Sequence, residues 1–403
     1  VPSQPTSGSY NVDEFYVELN VPLIADAAFA KHLDLSVATR YSDYSTFGST
    51  TNSKVGFRWQ VVDDFTFRGT WAEGFRAPSI GELYGTASRF DATLQDPCNN
   101  ATGQLGANCA ILGVPNPATF QQSNPQISVL TGGNRNLQPE TSTNKTFGMI
   151  YSPNWAEGAS WSQKLDFEAT YYDISVKDAI QAKDAQTLLN RCAETLDPAF
   201  CSLQGRNGAG YVAFLNDTLG NLGRVDTSGW DFGLNWIGPD MSWGRFGVNW
   251  QSTYVDDYKA VSTETGLAEP ARVGVEVTDS GIARIRSTLR LNWTFDAWSA
   301  SWAMRYMSSL TEDCAGAAGF PICKGPASDQ FPDGSNHLGA VTYHDIRASW
   351  KVPVSTPLTI SAGVNNLFAK DPPVCLSCSL NGYDASNYDL PGRFWYIEGS
   401  LKF

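Results

Sequence analysis

The chain has 403 residues, room for two or three soluble domains or for one large barrel. Its formal charge of −13, from 41 acids against 28 bases, excludes the basic footprint that a nucleic-acid partner requires. Aromatic residues make up 12% of it and charged residues only 17%, a balance that suits a fold showing large side chains to something other than water.

No apolar run approaches the roughly 18 residues of a membrane helix, and the turn-rich opening VPSQPTSGSY does not read as a secretory leader. From there onward the sequence alternates strictly in stretches of about ten residues, the period of a strand with two unlike faces. The pattern recurs at Phe15 to Val21, Leu33 to Tyr41, Val55 to Val61 and Phe65 to Trp71. The last of these runs into RGTWAEGFRAPSIGELY, Arg68 to Tyr84, where a strand gives way to Pro and Gly turn chemistry and then to a long polar stretch. Alternation resumes at Phe147 to Tyr151, Leu165 to Tyr172, Trp230 to Trp236 and Phe246 to Tyr254. It returns at Arg284 to Phe295, Trp298 to Tyr306, Ile346 to Val352, Leu358 to Val364 and Trp395 to Phe403. This predicts an all-β protein of about 13 strands with no helix of any length.

The connections alternate too. Tight turns such as Val62-Asp63-Asp64, Asp296-Ala297 and Ser355-Thr356-Pro357 take turns with long polar loops, roughly 76–139, 181–210, 259–281, 311–339 and 369–391. Short turns at one end and long loops at the other point to a transmembrane antiparallel β-barrel of an outer membrane. The polar faces carry Glu18, Asp34, Arg40, Arg58, Arg68, Asp166, Glu168, Asp231, Arg245, Arg286, Arg290, Arg305, Asp345, Arg347 and Glu398, which suits a lumen. The opposite faces are rich in Trp, Tyr and Phe, which suits lipid and its interfacial girdles. An odd strand count leaves an unclosed edge, so either one strand escapes the pattern or, the favoured reading, the chain is part of a larger barrel.

The eight cysteines form four close pairs, Cys98 with Cys109, Cys192 with Cys201, Cys314 with Cys323 and Cys375 with Cys378, every one inside a long loop. They read as local disulfides of an oxidising compartment. The competing reading of Cys375-Leu-Ser-Cys378 as a metal or redox motif lacks a second pair or a supporting helix. No metal site and no cofactor are expected.

Four motifs in order then carry a resemblance. The block from Arg68 to Tyr84, with its Phe-Arg-Ala-Pro step and Glu-Leu pair, resembles a block of TonB-dependent outer-membrane receptors. Asn136-Leu-Gln-Pro-Glu-Thr-Ser142, Asn365-Asn-Leu-Phe368 and Pro391-Gly-Arg-Phe-Trp-Tyr396 running to Phe403 are similar to further signatures of that family. The resemblance implies a barrel of about 22 strands around an N-terminal plug that contacts TonB. Neither plug nor TonB segment is recognisable in residues 1–403, which read as the C-terminal portion of the barrel.

The resemblance further implies a receptor that takes up a scarce nutrient across the outer membrane, driven through TonB. Iron–siderophore is the default cargo, and an oligosaccharide, a peptide or cobalamin fits equally. Tyr84, Arg89, Phe90, Phe120 and Arg135 are the ligand-binding candidates, since aromatics stack on flat ligands and arginines pair with anionic chelates. The partners implied are outer-membrane lipid, TonB, the nutrient and a surface lipoprotein. No catalytic constellation stands out; His32, His337 and His344 belong to separate elements, and Asp166 and Glu168 read as lumen residues paired with arginines on adjacent strands. A passive porin would show the same wall without a plug, and a soluble glycan-binding β-sandwich would leave the inward charges unexplained.

Overall fold

The computed structural model describes residues 5–182, 185–221, 223–261, 272–277, 279–314, 323, 325–328, 333–354, 357–378 and 382–401. Its frame is one sheet of 13 strands. These are β1 (Val12–Ala27), β2 (Ala30–Tyr44), β3 (Gly48–Val62), β4 (Phe65–Arg76), β5 (Glu140–Tyr151), β6 (Lys164–Lys177) and β7 (Arg224–Ile237). They continue as β8 (Arg245–Val261), β9 (Ile285–Phe295), β10 (Trp298–Met307), β11 (Val341–Val352), β12 (Leu358–Asn365) and β13 (Phe394–Leu401). Every strand pairs antiparallel with its neighbour in the chain, so the wall is an uninterrupted meander, and β1 and β13 are its two open edges. Of the sequence motifs, Phe403 lies outside the described residues, as do Ser355 and Thr356 of the expected turn between β11 and β12.

The alternation assigns the faces as expected. One transverse row runs Phe65, Tyr151, Phe167, Leu234, Trp250, Leu289, Met304 and His344 from β4 to β11. Its rings stack along the row, Phe65 on Tyr151 at 4.4 Å and Tyr151 on Phe167 at 6.3 Å between centroids. His344 lies flat on Trp302 at 5.4 Å and edge-on to Phe368 at 4.9 Å, an aromatic contact on the apolar face. A hollow of about 1300 Å³ among Trp236, Phe246, Trp293, Trp302 and Trp395 lies between side chains of this same face. Its lining is that of the lipid-facing side of the wall, away from the lumen.

The other face carries the charges. A row there reads Arg68, Gly148, Thr170, Asp231, Thr253 and Arg286 from β4 to β9. Gly148 is bare for a reason: a Cβ on it would sit 2.7 Å from Thr170 Oγ1 and 3.3 Å from Arg68 Nε. The open spot lets the Arg68 guanidinium cross β5 to reach Glu168 and, at 3.2 Å, Thr170 on β6. Glu168 therefore pairs two strands away instead of with an adjacent one. Asp166 departs further from expectation, because its partners are Lys164 of its own strand at 3.0 Å and Ser152 at 2.8 Å, and no arginine.

The connections correct the sequence reading in three places. At the long-loop end, β2 and β3 are joined by residues 45–47 alone. The loop expected over 181–210 spans 178–223. Helices also exist: α1 (Ile80–Tyr84), α2 (Gly103–Ile111), α3 (Asn154–Glu157), α4 (Ala185–Thr195) and α5 (Pro198–Cys201). All are short and packed inside connections, where Gly, Pro and cysteines hide the helical period.

The packed cores lie in the loops. Loop 77–139 contributes the strands Ser88–Thr93 and Gln126–Gly132, and loop 178–223 contributes Val212–Thr218 and Gln204–Arg206 to the same four-stranded sheet. Ile127, Val129, Leu188, Leu189, Cys192, Phe200, Val212 and Leu215 form its core, with Cys98–Cys109 and Cys192–Cys201 bridged inside or beside it. A second cluster joins the loops after β8, β10 and β12 around Ala283, Leu310, Leu338, Val341, Tyr343, Cys375 and Tyr388. Cys314–Cys323 and Cys375–Cys378 are bridged there.

Candidate functional site

The site is built at the junction where β4 leaves the wall. Ser79 has extended backbone and caps α1, accepting the Glu82 N–H at 3.2 Å while Glu82 Oε2 accepts the Ser79 N–H at 2.7 Å. The same Glu82 carboxylate takes Arg76 Nη1 at 2.9 Å, and Arg76 reaches Glu140, the first residue of β5, at 2.7 and 2.8 Å. Partial burial pushes the Glu82 carboxyl up, but Arg76 and the Ser79 N–H outweigh it and hold the group below the usual carboxylate range. Glu140 Oε1 also accepts the Ile180 N–H at 2.7 Å, which brings in the loop after β6.

Two of the sequence motifs therefore meet in one clasp. Arg76, Ser79 and Glu82 come from the first block; the second supplies Glu140, the buried Leu137, and Gln138, whose backbone exchanges hydrogen bonds of 2.8 and 2.7 Å with the Asn221 amide. Arg76, Glu82 and Glu140 were not among the candidate residues. Their signal was present, as opposite charges placed within the two blocks close to the strand-to-loop junction.

Of the candidates, the structure brings Tyr84 and Arg135 together, with the guanidinium 5.2 Å from the ring centroid. Arg89 is exposed and bound to Asp91 two residues on, at 2.8 Å. Phe90, 47% exposed, projects from the edge strand of the loop sheet. Phe120 packs against the Cys98–Cys109 core and Tyr211, centroids 5.5 Å apart, so it is a packing residue. These five do not converge on one pocket.

Beneath them, Asp96 and Arg206 form a buried bidentate pair at 2.6 and 2.8 Å, and Asp96 also accepts the Cys98 N–H at 2.9 Å. The pair ties the two loops of this domain to each other.

The second cluster is organised by carboxyls. Glu276 and Asp384 are fully buried and face each other across two loops. Burial lifts the Glu276 carboxyl to about 7, and the neighbouring Asp384 adds to the shift, so Glu276 holds its proton below neutral pH. Burial also works against Asp384, yet hydrogen bonds from Ser386 and Asn387 hold it below the usual range. Glu312, likewise buried, accepts the Ser377 N–H at 2.7 Å and joins the loop after β10 to that after β12. From this cluster Asn387 and Asp389 reach down to Arg286 and Arg305 on the charged face of the wall. The loops thus close over the lumen side of the sheet.

Comparison with known proteins agrees with this architecture. The family profile described as TonB dependent receptor-like, beta-barrel matches residues 1–367. Heme/hemopexin utilization protein C of Haemophilus influenzae is 28% identical over 197 residues, 46% of this chain and 22% of that protein. A hemin receptor of Yersinia pestis is 22% identical over 265 residues, 61% of this chain and 35% of that protein. Among solved structures, a ferric enterobactin receptor of Pseudomonas aeruginosa superposes with a TM-score of 0.59 at 18% identity, over 98% of this chain and 45% of that one. The chain thus spans less than half the length of each of these proteins. With the meander, the two unlike faces and the loop-bound disulfides, the match over residues 1–367 establishes that this chain belongs to the TonB-dependent receptor β-barrel family, integral to the outer membrane.

Proposed function

We propose that residues 1–403 form the C-terminal portion of a receptor that imports an iron source, energised through TonB by a segment lying N-terminal to them. Heme is the first candidate cargo and a ferric siderophore the second; the relatives named for heme and hemin set that order. The observation that carries the transport reading is the family match across residues 1–367. The clasped, disulfide-tied loops supply the outer surface that meets the cargo first. Arg89, Phe90 and the Tyr84–Arg135 pair are the contacts offered by the first loop domain, and a surface lipoprotein is a further partner.

Heme iron takes His, Tyr, Met or Cys as an axial ligand. All eight cysteines are bridged, His32 and Met241 belong to the short-turn end, His344, Met149 and Met304 to the apolar face, and Met307 is buried in the second cluster, which leaves His337 and the loop tyrosines. The test is growth of an iron-starved host lacking its other receptors, carrying the full-length gene. Growth on hemin that disappears when TonB is deleted is the expected result. Growth on a ferric siderophore alone would reassign the cargo, and TonB-independent growth would make the protein a passive porin.

A further inference from the structure

The charged face of β9 presents Arg286, Thr288, Arg290 and Asn292, two cations four residues apart with no acid between them. Arg290 stands opposite Asn249 on β8 and Ala303 on β10. Arg286 stands opposite Thr253 and Met307, and its protein partner is the neutral Asn387 carbonyl. Among the described residues neither guanidinium has a carboxylate at ion-pair distance. Arg305, diagonal to both, differs: Asp345 at 3.0 Å and Asp389 at 2.5 Å neutralise it over the Tyr343 ring.

A cavity of about 300 Å³ opens here, lined by Gln251, Thr253, Arg286, Thr288, Arg305 and Tyr343 under a roof of Asn387. Asp231 takes the Thr253 hydroxyl at 2.6 Å, whereas the Gln251 side-chain amide and the Thr288 hydroxyl have no hydrogen-bond partner among the described residues. Asn387 is itself fixed, donating to Asp384 and, at 2.8 Å, to the Gly281 carbonyl. It therefore orients the Arg286 guanidinium while using one of its five donors. In a chain of net charge −13, a guanidinium without a carboxylate partner among the described residues, set beside Gln251 and Thr288, forms a receiver for an anion.

We propose that this cavity is a carboxylate subsite on the lumen wall, where a carboxylate-bearing cargo docks on Arg286, with Thr288 and Gln251 as further donors. Arg290, one step deeper along β9, receives the same group next. The subsite deepens the uptake reading and rests on it only for the identity of the cargo. A guanidinium aimed by Asn387 keeps donors free to hold a carboxylate through two parallel hydrogen bonds.

The test titrates full-length receptor in detergent with hemin, with hemin dimethyl ester, which keeps the iron and macrocycle but lacks both carboxylates, and with ferric citrate. Wild type, Arg286→Gln and Arg286→Lys are compared, each checked for heat-modifiable gel mobility as proof of a folded barrel. Arg286→Gln should weaken hemin about tenfold, the loss expected for one charged hydrogen-bonding pair. It should leave the ester unchanged, and Arg286→Lys should recover part of the loss. Equal weakening of hemin and ester would show that Arg286 acts through packing and would overturn the subsite. So would unchanged binding of every probe. If hemin fails to bind while ferric citrate binds in an Arg286-dependent way, the heme reading falls and the subsite stands. If neither carboxylate shows Arg286-dependent binding, the subsite falls.

Discussion

The two loop clusters solve the same problem with different chemistry. The domain built from loops 77–139 and 178–223 buries mainly Leu, Ile, Val and Phe side chains, with the Asp96–Arg206 pair and Asp217 among its buried polar groups. The cluster after β8, β10 and β12 buries Glu276, Glu312 and Asp384 beside a smaller apolar core. An apolar core is indifferent to pH; a core with a proton held on a buried carboxyl is not. The first should therefore hold its shape across the neutral range, and the second, which reaches down to Arg286 and Arg305, should respond to pH.

The sharpest way to break that contrast is at the buried pair. Arg206→Ala leaves the fully buried Asp96 carboxylate alone and should cost about 3–5 kcal/mol, enough to open the first domain. Limited proteolysis should then cut within 77–139 while the barrel stays intact. An uncut domain would mean that its apolar core carries it unaided.

A smaller effect separates the clusters by pH. The Glu276 carboxyl is lifted to about 7 in the folded protein, so its protonated form favours loop closure. Closure is undiminished below the ordinary glutamate range, weakens as pH rises through about 5 to 7, and levels off above that. Asp384, held low, opposes closure only in more acidic solution. Hydrogen exchange in the loop after β8 should accelerate across that window, and Glu276→Gln should flatten the profile. A pH-independent wild type would end the distinction between the clusters. The smallest effect is at the clasp: Ser79→Ala removes the α1 cap and should cost about 1 kcal/mol, read as faster exchange at Glu82 with cargo affinity little changed.

The wall was legible because a half-buried strand declares itself in two residues. Leu289, Leu291, Trp293 and Phe295 against Arg286, Thr288 and Arg290 assign the faces of β9 without any tertiary knowledge. Helix α4 was legible in principle, since Leu188, Leu189, Cys192 and Ala193 mark a helical face, but it sits between turn residues and a disulfide that mask its period. The site was read less well. Arg89 and Phe90 were chosen as exposed loop residues, and nothing in their local sequence told of the clasp or of the lumen cavity. Gln251, Thr288 and Arg305 meet only because three strands fall into register, and register between strands is not written within any one of them.

The meander has a consequence for how such a receptor changes over generations. Each strand is hydrogen-bonded to its immediate predecessor, so an insert between two of them must satisfy only the distance between adjacent strand tops. The entropy of closing an insert grows with the logarithm of its length, so a loop of about 60 residues costs only about 3 kcal/mol more than the three-residue turn at 45–47. The wall barely registers what is spliced into it. New ligand preferences can therefore be acquired one insert at a time, with the membrane-spanning frame left as it was.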